Sequence, residues 1–256
     1  MSAAQATTAP SPAAGTGTLL RIDNVSKHFG GFTALDSVNV EIVQGERFGL
    51  IGPNGSGKTT QINCITGALL NDSGAITFAG ENISRLPAYQ RTRRGIARSF
   101  QIPRPFKTMT VLENLLIPID FATGRGLLDR TDVRSEAMAI LDKIGLSTKA
   151  DVLSSQLSQV ELRKMELARA MAARPKLLIS DEAMAGLSDA EVDEILALLF
   201  KLNGEGITVI MIEHIMHAVM TFSSHVVCLD AGKIIAAGAP AEIVNEPRVQ
   251  EAYLGA

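Results

Sequence analysis

Apolar and polar positions divide the chain into segments of different period. Residues 19–46 alternate apolar and polar side chains and are interrupted by glycines, which predicts antiparallel strands joined by tight turns. Short buried strands are predicted at 47–51 and 74–80. From 87 to 173 apolar residues recur every three to four positions, a pattern that is typical of amphipathic helices. The helical pattern is clearest in three segments, at 109–117, 131–144 and 158–172.

The last third of the chain alternates apolar runs with helical segments. The runs predict strands at 176–180, 207–212 and 225–229, and helices separate them at about 189–202 and 214–222. Strands of a parallel sheet are buried on both faces and therefore read as near-continuous apolar runs. The pattern predicts an α/β core that begins with a β-rich part and carries a helical insertion.

Composition and charge limit the possible functions. The chain of 256 residues has a net charge of −3, without the clustered basic excess that is typical of nucleic-acid-binding proteins. Its apolar runs are too short to span a bilayer, so we expect any membrane role to be held through a partner. Two distant cysteines favour buried cytosolic thiols. Residues 1–17 lack the basic start and apolar middle of a signal peptide and are predicted to be a disordered tail.

A glycine-rich stretch follows the predicted strand at 47–51. Its spacing is that of a phosphate-binding loop between a strand and a helix, the context in which this motif is specific. Its glycines let backbone amides turn toward phosphate oxygens, Lys58 supplies a positive charge, and the Thr59 hydroxyl can bind Mg²⁺. The candidate nucleotide-binding residues are Gly52, Pro53, Asn54, Gly55, Ser56, Gly57, Lys58, Thr59 and Thr60.

Polar residues also follow the later apolar strands. Asp181 and Glu182 end the strand at 176–180, and adjacent side chains of a strand point in opposite directions. Asp181 is therefore a candidate Mg²⁺ ligand, and Glu182 a candidate base that polarises the attacking water. His214 follows the strand at 207–212, at the sheet edge where ligands bind, and is a candidate γ-phosphate contact. Gln101 is a further candidate that gains meaning only from this context.

The segment LSQVELRKMELARA, residues 157–170, begins as a capping box. Ser158 and Glu161 have the spacing at which each side chain accepts a hydrogen bond from the backbone of the other.

Taken in order, these motifs resemble the nucleotide-binding subunit of ABC transporters over about residues 18–256. Several segments look most like the ATPases that import branched-chain amino acids: GIARSFQ, TVLENLL, RPKLLISDE, ITVIMIEH and RVQEAYLG. Urea or amide importers and the ATPase that exports lipopolysaccharide are also similar. The resemblance implies a P-loop NTPase core of the RecA type with an antiparallel β subdomain and a helical signature subdomain. The implied ranges are 18–101 and 174–256 for the core and 102–173 for the helical subdomain.

The resemblance also assigns roles. It implies that Phe29 stacks on adenine and that Gln101 links Mg²⁺ to the permease interface. It implies ATP and Mg²⁺ as cofactors, Glu182 as the base, His214 as the γ-phosphate switch and residues 102–120 as part of the groove for the permease.

The implied partners are two integral-membrane permease subunits, a second ATPase subunit and, indirectly, a periplasmic or extracellular solute-binding protein. The implied location is the cytoplasmic face of the cell membrane. A regulatory nucleotide-binding subunit with little turnover is the alternative, although Glu182 and His214 argue against it.

In this chain the signature segment departs from the Leu-Ser-Gly-Gly-Gln that is usual in the family. Here Val160 replaces the second glycine, which restricts the backbone and blocks close approach to phosphate. In this family the signature contacts the nucleotide that the other subunit holds, so Ser158 would act in trans. We therefore expect an asymmetric pair with one slow site.

Six arginines lie between positions 85 and 104. They could contact a permease or anionic lipid, or they could form a solvated face. They are Arg85, Arg91, Arg93, Arg94, Arg98 and Arg104.

Overall fold

The computed structural model describes residues 17–99, 105–123 and 130–254. Most of the predicted N-terminal tail, together with Gln101 and Arg104, lies outside these ranges. All other candidate site residues lie within them.

The alternating N-terminal region folds as predicted into antiparallel strands. In the described part of the chain, four strands form a sheet in the order β2-β1-β4-β5. Their bounds are Thr18–Phe29 (β1), Phe32–Val43 (β2), Ser73–Phe78 (β4) and Glu81–Asn82 (β5). The hairpin between β1 and β2 turns through Gly30, whose φ of 59° a glycine adopts without a steric penalty.

The apolar runs form the expected parallel sheet. Among the described residues, six strands pair in the order β10-β9-β3-β8-β7-β6, and β10 alone is antiparallel to its neighbour. Their bounds are Arg47–Ile51 (β3), Ile96–Ser99 (β6), Leu177–Asp181 (β7), Thr208–Ile212 (β8), His225–Asp230 (β9) and Lys233–Gly238 (β10).

Two of these strands were not predicted. Strand β6 lies in the stretch that was interpreted as mainly helical, and it forms because it pairs in parallel with β7, with Ile96 opposite Leu177. Strand β10 returns beside β9 through a turn at Ala231 and Gly232, both with positive φ.

The six helices predicted individually are present with changed bounds, and three more lie in the described ranges. In chain order the helices are Lys58–Thr66 (α1), Ala88–Arg93 (α2), Val111–Thr123 (α3), Arg130–Ile144 (α4), Gln159–Met171 (α5), Asp189–Gly204 (α6), Met216–Phe222 (α7), Pro240–Val244 (α8) and Pro247–Leu254 (α9). Helices α8 and α9 were not predicted, and α2 was covered only by the general helical pattern of 87–173. Helices α3, α4 and α5 contact one another between β6 and β7 in the chain. None of the helices in the described ranges has the length and apolar character needed to cross a membrane.

Apolar side chains cover both faces of the parallel sheet. Along β7, Leu178 packs into one core, and its neighbours Leu177 and Ile179 pack into the other. Fully burying each such side chain contributes about 1.5–3 kcal/mol, so the strand is anchored from both sides. The sheet therefore holds the carboxyl ends of its strands in fixed positions.

The arginine-rich stretch is partly internal. Arg91 is fully buried, and its guanidinium donates to the backbone carbonyls of Cys64 and Ile65 at the end of α1 and to those of Ser84 and Leu86. For this arginine, both interpretations from the sequence were wrong, because its charge caps a helix end inside the protein.

Candidate functional site

The loop from β3 to α1 presents an open helix start. Gly57 occupies the position before α1 with φ of 110° and has no side chain with which to cap the helix. The first turn of α1 contains no acidic residue. The first amides of a helix have no partner within the helix, and they lie at the positive end of its dipole. The loop therefore offers an anion-binding site built from backbone.

Two glycines of this loop are required by space as well as by φ. A Cβ at Gly52 would lie 2.0 Å from the Leu229 carbonyl oxygen, and its φ is 146°. A Cβ at Gly57 would lie 2.5 Å from the Ala34 carbonyl oxygen. Both obstacles are backbone atoms, so the loop holds this shape only with glycine at these positions.

Lys58 is held by its own loop. Its ammonium donates to the carbonyl oxygens of Gly52 at 2.6 Å and Pro53 at 2.9 Å, and only 7% of the residue is exposed. Burial lowers the pKa of Lys58, and the nearby carboxylate of Glu182 opposes this change. A phosphate oxygen could replace either carbonyl as the partner of this buried charge.

A cavity of about 270 Å³ lies against this loop and brings most predicted site residues together. The residues that line it are Phe32, Ala34, Asn54, Gly55, Ser56, Gly57, Lys58, Thr59, Thr60, Glu182 and His214. The Oγ atom of Ser56 is buried without a hydrogen-bond partner among the described residues, so a polar group of a ligand could satisfy it.

Glu182 and His214 meet at the edge of this cavity. They leave the ends of β7 and β8, which pair in parallel with Asp181 opposite Ile212. The Glu182 amide donates to the Ile212 carbonyl at 2.8 Å, and Glu182 has the left-handed φ of 48°. Its Oε1 atom lies 2.7 Å from Nε2 of His214. The sequence predicted both residues in the site but not this contact between them.

Asp181 points to a different partner. Its Oδ2 atom accepts from both Nε and Nη2 of Arg98, at 3.1 and 2.5 Å, and Arg98 also donates to Oδ1 of Asn63 at 2.8 Å. The two acids therefore have separate partners, as expected for neighbours at the end of a strand. The ion pair between Asp181 and Arg98 was not predicted, because nothing in the spacing links positions 83 residues apart.

The residues present fit a magnesium ion shared with a nucleotide. Among the described residues, no group of three His, Cys, Asp or Glu side chains could hold a metal by itself. Thr59 is exposed at the cavity, and Asp181 directly precedes Glu182, which also lines it. Mg²⁺ is usually bound by one or two oxygen side chains, substrate phosphates and water, so this sparse oxygen set is suitable.

Exposed aromatic rings lie on the hairpin next to the cavity. Phe32, and not Phe29, is among the lining residues. The two rings belong to a facing pair on β1 and β2 and are 62% and 47% exposed, respectively. Phe29 also lies 5.5 Å from the Lys27 ammonium. The hairpin therefore presents two exposed rings near the loop, and sequence analysis singled out only one of them.

Ser158 lies away from this cavity, at the start of α5. The predicted capping box is present: the Ser158 amide donates to Glu161 at 2.9 Å, and the Glu161 amide donates to the Ser158 hydroxyl at 3.4 Å. Glu161 also forms an ion pair with Lys149.

Glu213 is a buried carboxyl that sequence analysis missed. It accepts a hydrogen bond from the Met184 amide at 2.9 Å and joins the segments that follow β7 and β8. Burial raises the pKa of Glu213 to about 7, with the negative charge of Glu182 adding to the effect. Arg163 of α5 is also near enough to interact with this carboxyl. The sequence offered one signal for Glu213: it is an acid directly before His214, at the end of an apolar strand.

Comparisons with known proteins agree with this geometry. The family model described as ABC transporter matches residues 35–185, and a second model, described as branched-chain amino acid ATP-binding cassette transporter, matches 233–256. The chain is 38% identical over 246 residues to the probable branched-chain amino acid transport ATP-binding protein LivG of Archaeoglobus fulgidus. That alignment covers 93% of this chain and 96% of the relative.

Solved structures show the same fold. The ADP conformation of an ATP-binding cassette of an ABC transporter matches with a TM-score of 0.86 and 34% identity, covering 94% of this chain and all of the other. A dimeric cassette bound to ADP and Pi matches with a TM-score of 0.77 and 27% identity, covering 87% of this chain and 99% of the other. The chain therefore belongs to the ABC transporter family, as one of its ATP-binding, ATP-hydrolysing cassettes.

Proposed function

We propose that this chain hydrolyses ATP to drive the import of branched-chain amino acids through a permease. One observation carries the proposal: an open helix start, a buried lysine and a carboxylate–histidine pair line a single cavity. The relatives named for branched-chain amino acid transport support the solute class.

The cavity residues divide the work of hydrolysis. The amides at the start of α1 and the ammonium of Lys58 bind the phosphates and stabilise charge as it moves to the leaving oxygen. Glu182 accepts a hydrogen bond from the attacking water and orients it toward the γ-phosphate. Nε2 of His214 lies 2.7 Å from Glu182 and, once the γ-phosphate is bound, donates to one of its oxygens in place of that carboxylate. Phe32 and Phe29 are the rings available for stacking on adenine.

Thr59 and Asp181, with Gln101, are the residues that would hold Mg²⁺. When bound, the ion neutralises charge on the β- and γ-phosphates. Asp181 would leave its ion pair with Arg98 to hold the metal, and Asn63 would remain a partner for that guanidinium.

The assembly in this proposal is an asymmetric pair on the cytoplasmic face of the membrane. The dimeric cassette bound to ADP and Pi supports pairing in general. The start of α5 supports the asymmetry, because Glu161 already occupies the amide of Ser158 and adds a negative charge where a partner's phosphate would approach. The partner's nucleotide would therefore turn over slowly, and the nucleotide at Lys58 would be the competent one.

Replacing Glu182 tests the enzymatic role. Glu182→Gln is expected to lower ATP turnover by about 10²- to 10⁴-fold while ATP binding is retained, because it removes a base and leaves the phosphate contacts intact. Glu194→Gln is the matched control, since Glu194 lies on the exposed side of α6 and pairs with Lys164. Unchanged turnover in Glu182→Gln would reject the catalytic assignment.

Two further experiments test the assembly. Purifying the chain from membranes and identifying its companions by mass spectrometry should recover permease subunits and a second, different cassette. Recovery of this chain alone would contradict the transporter role.

In the recovered assembly, the double substitution Val160→Gly and Glu161→Gln should raise ATP turnover. A turnover that stays the same would reject the asymmetry.

A further inference from the structure

The C-terminal helix contacts the phosphate loop directly. The backbone amide of Gly52, the first residue of the loop, donates to the Tyr253 hydroxyl of α9 at 2.8 Å, across 201 positions of sequence. The loop therefore receives support from Tyr253, a residue of the C-terminal segment RVQEAYLG.

Gly52 connects this contact to Lys58. Its amide is bound by Tyr253, and its carbonyl accepts the Lys58 ammonium at 2.6 Å. The residue is also confined, since a Cβ there would lie 2.0 Å from the Leu229 carbonyl oxygen. With the amide fixed on one side and Leu229 on the other, the Gly52 carbonyl has a defined direction. That direction determines where the Lys58 ammonium is held.

A second contact supports the other end of the loop from the same part of the chain. The amide of Gly232, in the turn between β9 and β10, donates to the Ser56 carbonyl at 2.9 Å. Gly232 has φ of 79°, and a Cβ there would lie 2.9 Å from the Ala34 carbonyl oxygen, so this turn is itself closely fitted. Residues near both ends of the loop are thus bound by residues from the last quarter of the chain.

The Tyr253 phenol is suited to accept this bond without becoming charged. Burial raises the pKa of Tyr253, and the hydrogen bond from Gly52 opposes that change. A neutral phenol near pH 7 has a free lone pair for the Gly52 amide and places no negative charge near the phosphates.

We propose that Tyr253 is a positioning residue that sets the phosphate loop, through Gly52 and Lys58, for nucleotide binding. The inference rests on the proposed function of the loop, and it gives the C-terminal segment a role in the nucleotide site. Removing the hydroxyl leaves the Gly52 amide without its partner and lets the loop sample other conformations. The expected loss is in nucleotide affinity, because Tyr253 itself does not line the cavity.

Tyr253→Phe in the full chain tests this role, with Tyr89→Phe as the matched control. The chain contains two tyrosines, and Tyr89 lies on the exposed surface of α2. Tyr253→Phe should weaken ATP binding in calorimetry by about tenfold, in line with an unpaired amide, and raise KM for ATP by a similar factor with kcat nearly unchanged. Tyr89→Phe should leave both constants unchanged. An unaltered affinity in Tyr253→Phe would overturn the inference.

A second measurement uses the fluorescence of Tyr253 itself. The chain has no tryptophan, so in Tyr89→Phe the emission comes from Tyr253 alone. Saturating ATP should change this emission, whereas in Tyr253→Phe the emission of Tyr89 should stay constant. A Tyr253 emission that does not respond, while calorimetry shows that ATP binds, would reject the role of Tyr253 and leave the proposed function standing. A chain that binds no ATP in calorimetry would instead reject the proposed function.

Discussion

The two helices α1 and α5 begin in opposite ways. Helix α1 starts after Gly57, with neither a capping side chain nor an acid in its first turn. Helix α5 starts after Ser158. The Ser158 side chain accepts a hydrogen bond from the Glu161 amide, and the Glu161 side chain accepts one from the Ser158 amide. Both starts carry amides that have no partner within the helix, and the capping residues decide whether those amides are bound by the chain itself.

This difference separates stability from binding. A capping box contributes about 1 kcal/mol to a helix by filling its amides from within. The same amides, if left open, cost stability but are available to an external anion. The amides at the start of α5 are capped from within, whereas those at the start of α1 are left open. The start of α5 is therefore a well-stabilised helix start whose first amides are already bound within the chain.

Closing the open start should have the largest effect. Gly57→Ala places a Cβ 2.5 Å from the Ala34 carbonyl oxygen at φ of 110°. We expect a loss of about 3 kcal/mol in the free energy of unfolding, and ATP binding that is weaker by at least about tenfold. Gly45→Ala is the control, because Gly45 has φ of 78° and open space around its Cβ position. Denaturant unfolding and calorimetry of both variants give the result, and equal losses in the two would contradict the steric argument.

Changing pH should alter the free energy of unfolding through Glu213, the buried carboxyl directly before His214. Its pKa is raised from 4.5 to about 7, so the folded protein prefers the protonated carboxyl. The stabilisation is fully present below pH 4.5 and is lost as pH rises through 7, a change of about 3 kcal/mol. The charged or titratable groups that act on it are Glu182, His214 and Arg163.

Glu213→Gln should remove this part of the pH dependence. The difference in unfolding free energy between wild type and variant, measured by urea at pH 5 and pH 8, should change in favour of the variant at pH 8. A constant difference would show that Glu213 has an ordinary pKa.

Opening the capped start should have a smaller effect. Ser158→Ala removes the acceptor of the Glu161 amide and should cost about 1 kcal/mol of unfolding free energy. Ser158→Thr keeps a hydroxyl at the same position and should restore most of it. Calorimetric melts of the isolated chain would measure both, and ATP affinity at the loop of α1 should stay unchanged. A reduced affinity would mean that the two helix starts are coupled within one chain.

The ion pair at α5 should contribute least. Lys149 and Glu161 are partly exposed, and such pairs are typically worth a few tenths of a kcal/mol. A double-mutant cycle with Lys149→Ala and Glu161→Gln should give a coupling of about 0.5 kcal/mol at low salt that disappears at high salt. A coupling that survives high salt would show that the pair is shielded from solvent.

The fold was largely predictable because its strands carry the strongest signals. Runs such as 207–212 are almost continuously apolar, which favours burial in a sheet or core. Strand β6 was missed because it is four residues long and sits between helical segments, so only its pairing with β7 defines it. Strand β10 had a usable signal, the Ala231–Gly232 turn, that was not applied.

The site residues were predictable where they lie close together in the sequence as a motif. The loop at 52–60 and the pair Asp181–Glu182 are examples. Contacts between distant parts of the chain were not predictable. The bond between Tyr253 and Gly52 and the ion pair between Arg98 and Asp181 depend on how sheets and helices stack, and no local pattern encodes that distance.

Arg91 has a consequence for anyone who redesigns the protein. A charge-reduction scheme for better expression would treat the arginine-rich stretch as surface and replace its members freely. Arg91 has no exposed area, and four main-chain oxygens depend on its guanidinium. Even lysine, with a single nitrogen, cannot reach that many acceptors, so this position should be kept fixed and the exposed Arg93 altered instead.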